Sequence, residues 1–121
     1  MASPDRALLA NVEIYLAEGN IRRGISGFAN NMLAQTAGGD FQDRRLLLGP
    51  GSNATITAIA GNSATIIRCS KPVKITANVA PSATPTVFLV NSLFIYTGEL
   101  GDLTIANEST TLDSKVTVLQ I

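Results

Sequence analysis

Val73-Lys74-Ile75-Thr76-Ala77-Asn78-Val79 decides the fold class of this chain. In an extended segment Val73, Ile75, Ala77 and Val79 point one way while Lys74, Thr76 and Asn78 point the other. That is a strand with one dry and one wet face, the pattern of an antiparallel sheet packed on a core.

The same period-two alternation extends in both directions. Before it stand ATITAIAG (54–61) and NSATIIRCS (62–70); after it come PTVFLVNSLFIYTG (85–98), GDLTIANES (101–109) and SKVTVLQI (114–121). Gly, Pro, Asn or Ser sits at nearly every break, as strand boundaries require. Gly61-Asn62 reads as a tight hairpin turn. Pro81 to Pro85 reads as a loop, since its two prolines remove ladder donors. The run from Val87 to Tyr96 is apolar on both faces, with Val87, Leu89, Leu93 and Ile95 opposed to Phe88, Val90, Phe94 and Tyr96. Both faces of such a run are covered, by the N-terminal segment or by a neighbouring subunit. Asn91-Ser92 marks a bulge or turn within it. The apolar run Val116 to Ile121 is expected to be tied into a sheet.

Gly49-Pro50-Gly51-Ser52-Asn53 divides this ladder from a different style of sequence. Two segments are expected: 1–52, an N-terminal arm or helical segment, and 53–121, the β-sandwich. Ser3-Pro4-Asp5 has the chemistry of a helix start, and Leu8, Val12, Tyr15 and Leu16 follow at helical spacing. A helix from about Pro4 to Glu18 is expected, although Val12, Ile14 and Leu16 also alternate as a strand would. Gly24, Gly27, Gly38 and Gly39 interrupt the next stretch, leaving room for a short helix around Phe28 to Gln35. Some thirty weakly structured residues are unusual inside a compact domain. Either they form an arm that finds its partners on another subunit, or they form a loop-rich lid.

The chain has 121 residues, 45% hydrophobic but only 15% charged, with nine basic and nine acidic side chains in formal balance. One domain of this length buries roughly two-thirds of its unfolded surface. Charge below the ~25% usual for globular domains gives little protection against association. A zero net charge spread evenly along the chain lacks the concentrated positive field that phosphate binding needs, which argues against nucleic acid and anionic membrane as partners. The first twenty residues have neither the basic lead nor the apolar core of a signal peptide, and no window has the apolar length to span a bilayer.

Chemistry has few footholds. There is no histidine and one cysteine, Cys69, so Ser-His-Asp, Cys-His and zinc arrangements cannot be assembled. Asp40 with Asp43, and Glu99 with Asp102, could in principle serve glycoside hydrolysis or hold calcium. Local salt bridging with Arg44 and Arg45 accounts for the first pair, and a polar turn accounts for the second. Asn53-Ala54-Thr55 and Asn107-Glu108-Ser109 match the glycosylation sequon by chance. No enzyme, cofactor or metal is expected. Arg22-Arg23 and Arg44-Arg45 are the doubled cations; they could fix register on an acidic patch of a partner through bidentate contacts, or stand solvated in loops. With Phe28, Phe88 and Phe94 they form the expected partner interface.

A Gly-interrupted N-terminal segment, a Thr/Ala-rich sandwich and the closing LTIANESTTLDSKVTVLQI together resemble the small capsid decoration (cement) proteins of tailed bacteriophages. The resemblance is one of pattern and centres on residues 53 to 121. It implies a jelly-roll-like antiparallel β-sandwich, dimeric or trimeric, made in the host cytoplasm and seated on the outer capsid where major capsid protein subunits meet, its arm reaching across a neighbour. A tail-fibre or adhesion module, with loops around Asn78 to Thr86 and Gly98 to Gly101 binding glycans, is the alternative, as is a head-to-tail joining protein.

Overall fold

The computed structural model describes residues 6–18, 21–36, 41–79 and 82–121, with side chains described from residue 41 onward. Its elements are all strands: β1 (Arg6–Glu18), β2 (Ile21–Thr36), β3 (Gln42–Leu48), β4 (Asn53–Ile56), β5 (Ala64–Cys69), β6 (Val73–Asn78), β7 (Pro85–Val90), β8 (Leu93–Thr97), β9 (Leu103–Asn107) and β10 (Ser114–Gln120). No described residue is helical.

Two four-stranded antiparallel sheets, in the orders β3-β10-β5-β8 and β4-β9-β6-β7, make a sandwich. The pairings nest: β6 with β7 and β5 with β8, then β4 with β9 and β3 with β10. From β3 onward, only the step from β6 to β7 stays within a sheet. Every other connection crosses to the opposite sheet, so a doubled ribbon wraps around one core.

Alternation does the sorting. Val118, Ile67 and Phe94 lie side by side across the first sheet, and Ile105, Ile75 and Phe88 across the second. Ile67, Ile75, Ile105 and Val118 are completely buried, as are Val73 and Leu103. Each contributes about 1.5–3 kcal/mol relative to an exposed side chain. The intervening residues, such as Lys74 and Arg68, face water.

Polar staples close the ends. Asn107 donates from Nδ2 to the carbonyls of Leu48, Gly49 and Leu112 at 3.1, 3.0 and 2.9 Å, and its Oδ1 accepts from Ser109 N. Buried Asn62 exchanges bonds with the Leu100 backbone through both amide atoms. Buried Gln120 donates to Thr65 Oγ1 and accepts from Gln42 Nε2 and Ile59 N. Each group replaces the water that a buried amide would otherwise lose.

Three expectations need correction. The helix expected over Pro4 to Glu18 is strand β1 wherever it is described, and the short helix around Phe28 to Gln35 lies within β2. The two pair antiparallel with three register irregularities and, among the described residues, join no other strand. The strand alternation of Val12, Ile14 and Leu16, equally present in the sequence, is the pattern that the β1–β2 ladder follows. Gly61-Asn62 is not a hairpin, because β4 and β5 belong to opposite sheets. Gly61, at φ +68°, instead closes a turn in which Asn62 N donates to Ile59 O at 3.2 Å. Gly51, at φ +69°, does the same after Pro50, with Ser52 N donating to Gly49 O; Pro then Gly is the type II signature. That turn stands where the division at 52/53 was expected, yet β3, before it, pairs with β10 along its whole length. Asn91-Ser92 does divide its run in two, but β7 and β8 enter different sheets. The final apolar run is β10, lying between β3 and β5 as its composition demanded.

Candidate functional site

β7 and β8 are the edge strands of their two sheets and lie at the same side of the sandwich, joined through residues 91–92. Between them the inward side chains form a seal. The Phe88 and Phe94 rings meet at 5.0 Å and 58°, and Phe94 stacks on Tyr96 at 6.3 Å and 5°. Tilted and offset ring pairs of this kind contribute beyond the area they bury. Gly98 belongs to the same seal: at φ +135° it passes beneath Tyr96, whose Cε1 would stand 3.1 Å from any added Cβ.

The outward side chains of these strands are also apolar. Val87 is 54% exposed and Leu89 78% on β7, and Leu93 is 52% exposed and Ile95 39% on β8. Because the two strands border opposite sheets, one pair flanks each outer face of the sandwich. Scattered apolar residues need no explanation, but a grouped set on unpaired edges marks an interaction surface.

The expected interface residues fall in several places. Phe88 and Phe94 come together in the seal, half-buried, and their neighbours Val87, Leu89, Leu93 and Ile95 present the outward surface. Arg44 and Arg45 are exposed on edge strand β3, Arg44 opposite Val118 and Arg45 opposite Thr117. Arg45 pairs with Asp43 at 3.8 Å; at 81% and 39% side-chain exposure the bond contributes at most about 1 kcal/mol. Arg22, Arg23 and Phe28 lie on β2 opposite Ala17, Leu16 and Val12, and their side chains fall outside the described residues. The two arginine pairs thus belong to different sheets.

Other candidates resolve into structure. Asp102 Oδ1 accepts from Ala58 N at 2.9 Å, and Leu100 beside it is buried and bridges Val79. Asp40 lies outside the described residues. Among the described residues no His, Cys, Asp and Glu side chains gather in threes around a common point. Asn107, buried and using both amide atoms, has no free nitrogen for a glycan, which accords with a chance sequon. Cys69 is buried, and burial pushes its thiol above the ordinary value against the weaker opposing effect of a backbone hydrogen bond at Val73. A protonated, enclosed thiol is a poor nucleophile.

Alternation already showed which side chains share a face. It could not show that β7 and β8 are edges, because strand order depends on pairings far apart in sequence. Comparison with protein-family models, with curated proteins and with solved structures finds no match.

Proposed function

We propose that this protein is a structural virion component that decorates and stabilises a capsid by bridging major capsid protein subunits. In this reading the nested sandwich is a jelly roll, a fold used by viral capsid and lectin domains. Its strand orders β3-β10-β5-β8 and β4-β9-β6-β7 support that reading. The observation that carries the proposal is the double-flanked margin of Val87, Leu89, Leu93 and Ile95. Such a margin can enter a seam between subunits and bury apolar surface on both. β1 and β2, hydrogen-bonded to no other strand, act as the N-terminal arm that reaches a neighbour. The chain associates with itself as a dimer or trimer on the outer capsid, binds neither nucleic acid nor membrane, and catalyses nothing. Adding the purified protein to capsids lacking it should raise their resistance to thermal and osmotic rupture; unchanged rupture would defeat the proposal.

An adhesion module of a tail fibre is a second reading with one observation in its favour. Gly101 N donates to Asn78 O at 2.8 Å and Val79 bridges Leu100, so the two loops expected to bind glycans adjoin. Saturable binding on a glycan array, lost on substituting Thr84 and Thr86, would favour it over capsid decoration.

A further inference from the structure

The outer face of the β3-β10-β5-β8 sheet carries a second surface unlike the apolar margin. Its outward-facing side chains include three cations, Arg45, Arg68 and Lys115, against one carboxylate, Asp43, whereas Arg44 stands opposite buried Val118 on the other face. Arg45 and Arg68 stand on either side of Thr117 in one cross-strand row, about 10 Å apart at two strand spacings. With Ser70, Lys115 and Leu119 they line a shallow depression of about 440 Å³. Among the described residues the Arg68 guanidinium and the Lys115 ammonium have no ion-pair partner. Ser70 Oγ accepts from Lys115 N at 2.8 Å, which holds that hydroxyl at the rim.

We propose that this depression is a docking site for an acidic segment of a protein partner, one in which Asp or Glu side chains are interspersed with aliphatic ones. Two guanidinium forks facing one hollow match carboxylates, which each fork grips through two parallel bonds. Aliphatic neighbours of those acids are met by Leu119 in the hollow and by Leu93 and Ile95, which continue the same sheet face across β5. Nucleic acid fits less well. Its affinity depends on a long run of cations and, for single strands, on exposed aromatic platforms, whereas the aromatic rings of this sheet, Phe94 and Tyr96, are half-buried in the seal. The assignment does not depend on the capsid reading, since any protein partner with such a segment would serve.

The test is a nuclear magnetic resonance titration of the full chain with a short peptide of interspersed Glu and Leu. Saturable shifts at Ser70, Lys115 and Thr117 are expected. Arg68→Ala should weaken the peptide about tenfold, as losing one charged hydrogen-bond pair does. Arg68→Lys should fall between, keeping charge but losing the fork, and Asp43→Asn should strengthen binding by removing the competing carboxylate. These side chains are exposed, so unchanged melting temperatures will show that the variants fold. Equal binding by the same peptide with Gln for Glu would overturn the proposal, as would shifts confined to another surface. Inorganic phosphate binding as tightly as the peptide would also overturn it, reducing the hollow to a simple anion site.

Discussion

Asn107 shows how one side chain can organise a loop system. Its amide holds the chain on both sides, at Leu48 and Gly49 and again at Ser109 and Leu112. Asn107→Ala strands buried carbonyls at a cost of about 1–3 kcal/mol. For a domain of this size, a melting temperature lower by roughly 4–8 °C per kcal/mol should follow in a thermal scan. Cys69 makes a prediction about pH. Burial holds its thiol above the ordinary 9.0, so the unfolded chain loses this proton first as pH climbs. Its contribution to stability is therefore level below that value and declines above it. Urea midpoints measured near pH 8 and near pH 10 should drop more for the wild type than for Cys69→Ala. Equal drops would show that the thiol is not enclosed.

At the scale of elements, the margin formed by β7 and β8 allows the proposed association to be tested apart from folding. Leu89→Lys combined with Leu93→Lys alters only outward, largely exposed positions. Each change should move stability by no more than about 0.5 kcal/mol. If the chain self-associates through this margin as proposed, light scattering should nevertheless show a smaller particle than the wild type gives; an unchanged particle would count against that role of the margin. Strand existence was legible because side-chain parity is a local property: Val73 to Asn78 is buried and exposed in the alternation its residues state. Sheet membership was not legible. Gly61 and Asn62 specify a sharp turn equally well within a sheet or between sheets, and only distant partners decide which. The N-terminal segment offered two periods at once in Val12, Ile14 and Leu16, and a partner strand selected one of them. Among the site residues, the odd-even split of Val87 to Tyr96 was readable, but which half faces outward followed only from the position of the core. The hollow beside Arg68 left no local signal, because Arg45, Arg68 and Lys115 are assembled from three strands.

For the molecule as a whole, the boundary of the folding unit follows from β3. Among the described residues before 41, β1 and β2 add no strand to the sandwich, so removal of residues 1–40 should leave its urea midpoint in place. Removal of 1–52 also deletes β3, and with it Leu46 and buried Leu48 from the core. It strips one side of β10 of its ladder as well. That shorter chain should lose several kcal/mol and precipitate, since a bare apolar strand is a template for further pairing. Circular dichroism melts of both truncations test the point, and equal melts would mean that β3 is dispensable. The nested wrapping also has a mechanical consequence. Gln42 and Gln120 form the last rung of the β3–β10 ladder, so the chain enters and leaves this pair at one end. Tension applied between residues upstream of Gln42 and those beyond Gln120 would therefore unzip the rungs singly, at low force, instead of shearing them together. A protein strung between two anchors by its extremities would peel open, whereas one gripped across its sheet faces would transmit strain through the whole stack of hydrogen bonds.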